Sequence, residues 1–337
     1  MLKAVRTPDC YLSKLGEFIM TEMNDKRLEY RKKRRKRKKR IRFLVIFLLL
    51  ILAIGGYSFY QWYQAKSTAE EKQPKEEIEF HGAEETADNF NVLMMGDDSR
   101  GDEPARTDTI MIAHYDSSSK RPKIVSIMRD TYVEIPGHGY NKINAAYAIG
   151  GPDLLRETIS HNFGVDLHYY AIVGFEGFVD VVNTIAPDGI EATVTPEMTQ
   201  DKKALGVQLE EGTQKLNGEE LLAYARFRHD SQSDFGRVQR QQEVIQKLTD
   251  KVKSVSTVTK LPELVGYAQG YIDTNVRTGL ITSMAKDVVL GNTKDFETLR
   301  IPEDGSYENV RYEGVGLALS IDMEHNAALM QDFLQDE

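Results

Sequence analysis

The sequence is almost free of cysteine, and this limits what can stabilise the protein. Cys10 is the only cysteine in 337 residues, so the chain can form neither an intrachain disulfide nor a metal site built on several cysteines. Stability must therefore come from an apolar core. With 41% hydrophobic and 28% charged residues, the composition is that of an ordinary globular protein of one or two domains.

Several large enzyme classes are excluded because their motifs are missing. The sequence contains no G-x-S-x-G nucleophile elbow, no H-E-x-x-H zinc motif and no G-x-x-x-x-G-K-[ST] phosphate-binding loop. Without a usable cysteine, a thiol nucleophile is excluded as well. The histidines are scattered, and we interpret each of them as structural: His81, His114, His138, His161, His168, His229 and His325.

Positive charge is scarce in most of the chain. Residues 80–337 contain 24 Lys and Arg against 42 Asp and Glu, a net formal charge of −18. A nucleic-acid-binding domain is usually basic as a whole, so we expect no nucleic-acid partner for this region. Much of the positive charge lies near the N-terminus instead, in the run RKKRRKRKKRIR at residues 31–42.

An uncharged apolar run follows this basic segment. Residues 43–60 read FLVIFLLLILAIGGYSFY, and as a helix they are about 27 Å long, close to the ~30 Å hydrocarbon core of a bilayer. The basic flank then predicts that residues 1–42 are a cytosolic tail, which binds anionic lipid, and that residues 43–63 are a transmembrane signal-anchor. A cleaved signal peptide is the alternative, but no small-x-small cleavage site follows the run.

Beyond the anchor, the pattern predicts a polar stalk and one extracellular α/β domain. Residues 64–88 are polar and rich in glutamate, which is typical of a stalk, and the domain occupies residues 89–337. Apolar strand-like runs alternate with helical patterns, which favours a mainly buried sheet. The predicted strands are 90–96, 109–115, 123–128 and 169–173, and the predicted helices are 152–163, 175–185, 218–225, 237–252, 278–290 and 324–333.

The loop GDDSRGDEPARTDT at residues 96–109 joins the first two predicted strands. Asp98, Arg106 and Asp108 therefore lie at strand ends, a favoured place for an active site in α/β proteins, and Arg129 ends the next strand. The two carboxylates together would make a hard-oxygen site for Mg²⁺ or Mn²⁺. The alternative is a solvated turn, because loops of this composition are often no more than that.

The stretch AYARFRHDSQSDFGRVQRQQ brings four arginines into an acidic region. Arg226 and Arg228 share one side if the chain between them is extended. One stripe of a following helix carries three more polar side chains: Arg237, Arg240 and Gln241. Arginine side chains match phosphate oxygens bidentately, so the pattern predicts a polyanion site and phosphoryl transfer. A solvated, salt-bridged helix face is the alternative.

Together these segments resemble the LytR-CpsA-Psr family, and most closely its MsrR-type branch. The resemblance rests on MGDDSR…ARTDTIMI, SIMRDT, KINAAYAIGG and LNGEELLAYARFRHD…DFGRVQRQQ in this order, and covers about residues 89–245. It implies a central mixed sheet flanked by helices and a cell-wall transferase of Gram-positive bacteria. Such an enzyme moves teichoic acid, capsule or similar glycopolymers from an undecaprenyl-pyrophosphate carrier to the 6-hydroxyl of N-acetylmuramic acid in peptidoglycan.

The resemblance also assigns roles to individual residues. It implies that Asp98 and Asp108 hold Mg²⁺ beside Arg106, and we expect Asp98 to accept the hydroxyl proton. It implies a pyrophosphate-binding set made of Arg106, Arg129, Arg226, Arg228, Arg237, Arg240 and Gln241. It further implies an apolar tunnel for the polyprenyl tail, for which the candidate lining residues are Phe175, Phe178, Val179 and Val182. Ordinary core packing is the alternative for these four.

Two other functions stay open at this point. MsrR-type proteins carry names as regulators of transcription, and a regulatory role could follow indirectly from altered wall assembly. A lipid pyrophosphatase would use the same site with water as the acceptor.

Overall fold

The computed structural model describes residues 9–72, 78–84, 89–97, 107–116, 118–230, 233–253, 260–294 and 296–335. Contacts divide the chain into two units, residues 1–59 and 60–337. A helix, α1 (Asp9–Lys72), provides all the described structure of the first unit. Its residues 38–71 are long and apolar enough to cross a membrane by length and composition, with a mean hydropathy of 2.4 in one window. The large apolar side chains between Phe43 and Ile54 are exposed.

The second unit is an α/β domain, and its described elements follow in chain order. The strands are β1 (Asn89–Asp97), β2 (Thr107–Asp116), β3 (Lys123–Ile127), β4 (Tyr132–Ile135), β5 (Gly139–Lys142), β6 (Tyr169–Gly174), β7 (Ile190–Val194), β8 (Gly212–Leu216), β9 (Ile272–Thr274), β10 (Glu297–Ile301), β11 (Tyr307–Tyr312) and β12 (Gly316–Ile321). The helices after α1 are α2 (Ile143–Phe163), α3 (Phe175–Ile185), α4 (Pro196–Thr199), α5 (Lys202–Leu205), α6 (Gly218–Arg226), α7 (Ser233–Val252), α8 (Leu261–Tyr271), α9 (Thr278–Val289) and α10 (Met323–Gln335).

A six-stranded mixed sheet forms the centre of this domain, in the order β10-β3-β2-β1-β6-β9. β1 is parallel to β6 and antiparallel to β2, and β3 is parallel to β10. The other strands form two-stranded sheets, β4-β5, β7-β8 and β11-β12. The predicted α/β fold with a central mixed sheet is therefore confirmed.

Alternating side chains along β1 explain why helices cover both faces of the sheet. Leu93 and Met95 belong to the main apolar core, which includes side chains from α2 and α10. Phe90 and Val92 point to the opposite face, where Leu280 of α9 packs. Successive residues of a strand point to opposite faces, so a strand that is apolar throughout needs a cover on each side.

A further apolar core lies among α3, α6, α7 and the β7-β8 pair. Its buried members include Val182, Leu221 and Val244. Helices α3, α6 and α7 each contribute side chains to this core. Other side chains of the same helices lie beside the end of the central sheet, where the candidate site is located.

The structure confirms the four predicted strands and the helices that carry strong apolar periodicity. Helix α3 begins and ends at the predicted residues. Helix α2 starts earlier than predicted, but its backbone breaks at Gly150 and Gly151, where Gly151 has φ 64°, and resumes at Pro152. The two-stranded sheets and α8 lie outside the sequence prediction, because short half-exposed elements carry little periodic signal.

The predicted polar stalk, residues 64–88, differs from the structure over part of its length. Ala65 and Ala69, still within α1, are buried where they meet Gly266 and Gly270 of α8. Farther along, residues 78–84 run beside the domain, with Phe80 packed against the main core. The segment was predicted to be a stalk because it is polar overall, and its few small and apolar residues, which make these contacts, give no periodic signal.

Candidate active site

The candidate site lies at the end of the central sheet where β1 and β6 finish and β2 begins. Thr109 faces this end, and its hydroxyl oxygen accepts a hydrogen bond from Gln241 of α7 at 3.0 Å. A second amide on α7, Gln242, donates to Ser126 of β3 at 3.1 Å. These bonds hold α7 across the strand ends. The carboxyl ends of parallel strands are a common place for ligands in α/β proteins.

An apolar cavity of about 180 Å³ opens between the sheet, α3, α6 and α7. Phe175 and Phe178, two of the predicted tunnel residues, line it. Val179 and Val182 are not part of this lining, and Val182 is completely buried in the core shared by α3, α6 and α7. Position Val182 is therefore corrected from tunnel lining to core packing, because, one helical turn beyond Phe178, its side chain is completely enclosed by the core.

A polar cavity of about 170 Å³ adjoins the apolar one. Its charged lining comes from Asp108, Asp201, Arg226, Arg228 and Arg237. The two cavities share five lining residues: Gly96, Thr109, Phe175, Arg226 and Gln241. An apolar compartment thus lies directly beside a compartment that carries three guanidinium groups.

Asp108 anchors an ion-pair network in the polar cavity. One carboxylate oxygen accepts a hydrogen bond from Arg129 at 2.5 Å, and Nε of Arg129 also donates to Asp234 at 3.0 Å. Burial acts to raise the pKa of Asp108, but the charge and hydrogen bond of Arg129, with the charges of Arg237 and Arg228, outweigh it and lower that pKa. The Asp108 side chain stays 43% exposed, so this carboxylate is ionised and still reachable from the cavity.

Arg237 lines the same cavity from α7 although its side chain is only 5% exposed. It donates to the backbone oxygen of Asp108 at 3.3 Å, and its Nε is buried without a hydrogen-bond partner among the described residues. Burial lowers the pKa of Arg237, and the charges of Arg129 and Arg228 act in the same direction. The charges of Asp234 and Asp108 oppose this effect, so Arg237 is a buried guanidinium that two carboxylates pair with.

The arginines of the two predicted groups do not all face the cavity. Arg226 ends α6 and lies over the Phe175 ring at 4.2 Å, where the two cavities meet. Phe227 is extended, and Arg228 beyond it is exposed and lines the polar cavity. Arg240 is 8% exposed and is directed elsewhere, since it donates to Asp230 at 2.6 Å and to the backbone oxygen of Phe227.

The predicted metal and catalytic residues are only partly within the described chain. Asp98 and Arg106 lie outside the described residues. Among the residues that are described, no group of three or more His, Cys, Asp or Glu side chains could hold a metal ion. Asp108 is the member of the predicted carboxylate pair that the structure describes.

The cavities are also lined by residues for which the sequence predicted no role in the site, and one of them, His229, was interpreted as structural. Asp201 and His229 line the polar cavity, and Met94 and Met111 line the apolar one. The methionines alternate with core residues along β1 and β2, so strand periodicity could have indicated them. No local signal connects Asp201 to His229, because the pair is made by the fold.

The chain is similar to several known proteins. A family model, LytR_cpsA_psr family, matches residues 55–328. Regulatory protein MsrR of Staphylococcus aureus (strain COL) is 40% identical over 259 residues, which are 77% of this chain and 78% of MsrR. The polyisoprenyl-teichoic acid–peptidoglycan teichoic acid transferase TagU of Bacillus cereus (strain AH820) is 36% identical over 217 residues, 64% of this chain and 69% of TagU.

A solved structure extends the comparison to the fold. The LytR-CPS2A-psr family protein YwtF (TagT) with bound octaprenyl pyrophosphate lipid matches with a TM-score of 0.55 and 29% identity, over 78% of this chain and 95% of that one. The family model spans most of the sequence, and the similarity to MsrR agrees with the branch that the motifs indicated. The chain belongs to the LytR-CpsA-Psr family.

Proposed function

We propose that this chain is a membrane-anchored transferase that moves a glycopolymer from a polyprenyl-pyrophosphate carrier to peptidoglycan. The observation that carries the proposal is that the apolar cavity and the arginine-lined cavity lie side by side and share Phe175, Arg226 and Gln241 in their walls. A polyprenyl chain suits the first compartment and a pyrophosphate suits the second. The name of TagU and the lipid in the TagT structure support this pairing.

The reaction we propose is a displacement at phosphorus. The 6-hydroxyl oxygen of N-acetylmuramic acid forms a bond to the phosphorus that carries the glycopolymer. The bond from that phosphorus to the bridging oxygen breaks, and polyprenyl phosphate leaves with the electron pair. The hydroxyl proton passes to a base in the site. Because the protein forms no covalent intermediate in this scheme, its contribution is positioning and charge stabilisation.

The arginines supply that stabilisation. Arg226, Arg228 and Arg237 line the polar cavity and would donate hydrogen bonds to the pyrophosphate oxygens, whose charge redistributes in the transition state. Arg129 holds Asp108 in place rather than lining the cavity itself. Arg240 supports the chain at Phe227, directly before Arg228, so we assign it to positioning rather than to pyrophosphate binding.

A divalent cation, Mg²⁺ or Mn²⁺, belongs to the proposal. The ionised, partly exposed carboxylate of Asp108 fits a hard cation, and Asp98 is the proposed second ligand. When bound, the cation would neutralise phosphate charge.

Replacement of Asp108 tests the metal. We expect Asp108→Ala to abolish transfer and to keep the α/β fold at reduced stability, because the half-exposed side chain adds little to the core but its loss takes a carboxylate from the guanidinium groups of Arg129 and Arg237. Excess EDTA should abolish wild-type transfer, and added Mg²⁺ should restore it. Undiminished activity in the variant or in EDTA would remove the cation from the mechanism.

The proposed topology follows from charge and length. Residues 1–42 would be a cytosolic tail near anionic lipid, residues 43–63 the membrane anchor, and the α/β domain would be extracellular, in a Gram-positive bacterium. The helix long and apolar enough to cross a membrane supports this arrangement.

One experiment separates the three candidate functions. Full-length protein in detergent is incubated with labelled undecaprenyl-pyrophosphate-linked saccharide, with and without peptidoglycan. We expect label to become covalently attached to peptidoglycan. Release of saccharide phosphate at the same rate without peptidoglycan would indicate a pyrophosphatase. Specific DNA footprinting by a peptide of residues 1–42, without any transfer, would favour the regulator that the name of MsrR suggests.

A further inference from the structure

A histidine and an aspartate form a hydrogen-bonded pair in the wall of the polar cavity. His229 follows Arg228 directly, and Asp201 immediately precedes α5. Nδ1 of His229 lies 2.5 Å from Oδ2 of Asp201. Both residues line the cavity that also contains Asp108, Arg228 and Arg237. The side chain of His229 is 56% exposed and that of Asp201 is 20% exposed. The carboxylate is therefore the more buried of the two groups, and the imidazole is accessible from the cavity.

This contact determines which ring nitrogen is available. A carboxylate only accepts hydrogen bonds, so in the neutral imidazole Nδ1 carries the proton and Nε2 keeps a free lone pair. The His229 ring forms no other hydrogen bond within the part of the chain that the structure describes. Phe227 meets the imidazole edge-on, with ring centroids 6.2 Å apart, which limits the orientations that the ring can take. The Nε2 atom of His229 is thus oriented and available to accept a proton.

We infer that His229 is the general base of the transfer reaction and that Asp201 is its positioning residue. This inference rests on the proposed function. As the acceptor hydroxyl oxygen bonds to phosphorus, its proton moves to Nε2 of His229, and the electron pair of the breaking phosphorus–oxygen bond leaves with polyprenyl phosphate. The imidazolium then returns the proton to solvent. A carboxylate hydrogen-bonded to Nδ1 orients the ring and stabilises the imidazolium.

Asp108 is a poorer base than His229. Its carboxylate is bonded to Arg129 and lies near Arg237, so protonation would break an ion pair. The charged groups that line the polar cavity together with His229 are Asp108, Asp201, Arg226, Arg228 and Arg237. The adjacent Asp230 is already paired with Arg240 at 2.6 Å. Asp201 is therefore the carboxylate that this geometry pairs with the imidazole.

The test compares variants of the full-length protein. His229→Asn keeps an amide N–H that can reach Asp201 but provides no base, and Asp201→Asn keeps His229 while removing the carboxylate. General acid–base catalysis contributes about 10²–10⁴-fold to rate, so His229→Asn should lower kcat by a factor in this range. The Tm should stay unchanged because the side chain is 56% exposed, and donor affinity should change far less than kcat because the arginines bind the pyrophosphate. Asp201→Asn should lower kcat less. His161→Asn, at an exposed histidine paired with Glu134, is the matched control and should behave as wild type.

The pH–rate profile is the decisive measurement. In the wild type, kcat should fall at acidic pH as the base becomes protonated, and this acidic limb should disappear in His229→Asn. Wild-type kcat and an unchanged profile in His229→Asn would overturn the assignment while leaving the proposed function in place. A lower kcat with the acidic limb intact would also overturn it, since it would indicate a structural role. Absence of transfer by the wild-type chain itself would overturn the proposed function and the base together.

Discussion

Two arginines about one turn apart on α7, Arg237 and Arg240, have different roles because their side chains point in different directions. Arg237 lines the polar cavity, whereas Arg240 is buried against Asp230 and the backbone of Phe227. Positions three apart on a helix differ by about 60° around the axis, and that angle separates a cavity-facing guanidinium from one that supports the preceding loop. Both satisfy the same sequence pattern.

Arg228→Lys tests the cavity-facing role. Lysine keeps the charge but loses the planar fork, and a charge-assisted hydrogen bond is worth roughly 1.5–3 kcal/mol, so affinity for lipid pyrophosphate should fall on the order of tenfold or more. The Tm should be nearly unchanged, because Arg228 is exposed. Binding of lipid pyrophosphate and thermal unfolding are measured on the same preparations.

Arg240→Lys is the matched control. It removes bonds made by a buried guanidinium, so we expect a loss of about 1–3 kcal/mol in the free energy of unfolding and a smaller effect on donor affinity. Unchanged donor binding in Arg228→Lys would mean that Arg228 is a solvent-exposed side chain with no role in binding the donor.

At the scale of elements, the last turns of α1 pack on α8 through small residues. A Cβ added at Gly270 would lie 2.3 Å from Cβ of Ala69, and one at Gly266 would lie 2.5 Å from the backbone oxygen of Trp62. Trp62, the only tryptophan, donates to Gln269 of α8 at 2.8 Å. Small residues at i and i+4 on both helices allow this close approach, and residues 60–72 therefore belong to the α/β unit.

Gly270→Ala should weaken this contact. The added methyl group has no room, and overpacking typically costs about 1–3 kcal/mol, so the unfolding free energy should fall and Trp62 fluorescence should become more accessible to a quencher. Gly279→Ala is the control, because nothing lies within 4 Å of a Cβ there and α9 should tolerate it. Equal quenching and equal stability in the two variants would contradict the packed arrangement.

The pairing of β1 with β2 also makes stability depend on pH. His114 faces Asn91 across the two strands and shares a hydrogen bond with it at 2.8 Å. Burial, together with the charges of Lys123 and His168, lowers the pKa of His114 from 6.5 to about 4. Between these values the unfolded chain binds a proton that the folded chain does not. Stability is therefore greatest above pH 6.5 and falls as the pH falls towards 4.

His114→Gln isolates this effect. Glutamine keeps an amide donor for Asn91 but does not titrate in this range. The wild type should lose on the order of 2–3 kcal/mol of unfolding free energy between about pH 7 and pH 4 on account of His114, and the variant should lack this part of the loss. Urea unfolding across the range is the measurement. Parallel pH dependence in both proteins would show that His114 does not titrate as described.

At the scale of the whole molecule, charge is divided along the chain. The segment at residues 31–42 is strongly basic, and residues 80–337 carry a net formal charge of −18. A basic segment that flanks an apolar helix stays in the cytosol, and an acidic domain is repelled from an anionic membrane surface. The proposed topology is consistent with both effects.

Protease added to intact protoplasts tests this topology. The α/β domain should be degraded and the N-terminal tail spared, as followed by antibodies to each end of the chain. Disrupted protoplasts, in which the tail should also be cleaved, are the control. A protected C-terminal domain in intact cells would overturn both the topology and the extracellular transferase.

The sequence by itself determined the apolar helix, the α/β class and the polar residues at the strand ends. These follow from local patterns: the uncharged run at 43–60, strand-like runs alternating with helices, and the ordered motifs around Asp108 and Arg237. These patterns can be interpreted from the sequence alone because each depends only on residues that are close together in the chain.

Only the tertiary structure decided which of these side chains meet. Arg129 donates hydrogen bonds to Asp108 and Asp234, which are 21 and 105 residues away in the sequence. Val182 is buried in a core, whereas Phe178 lines a cavity. Asp201 forms a hydrogen bond with His229, which lies in another loop. Likewise, Ala69 and Gly270 meet although polar composition predicted a stalk. The packing of elements that are distant in the sequence sets these contacts, and the spacing within one segment does not encode it.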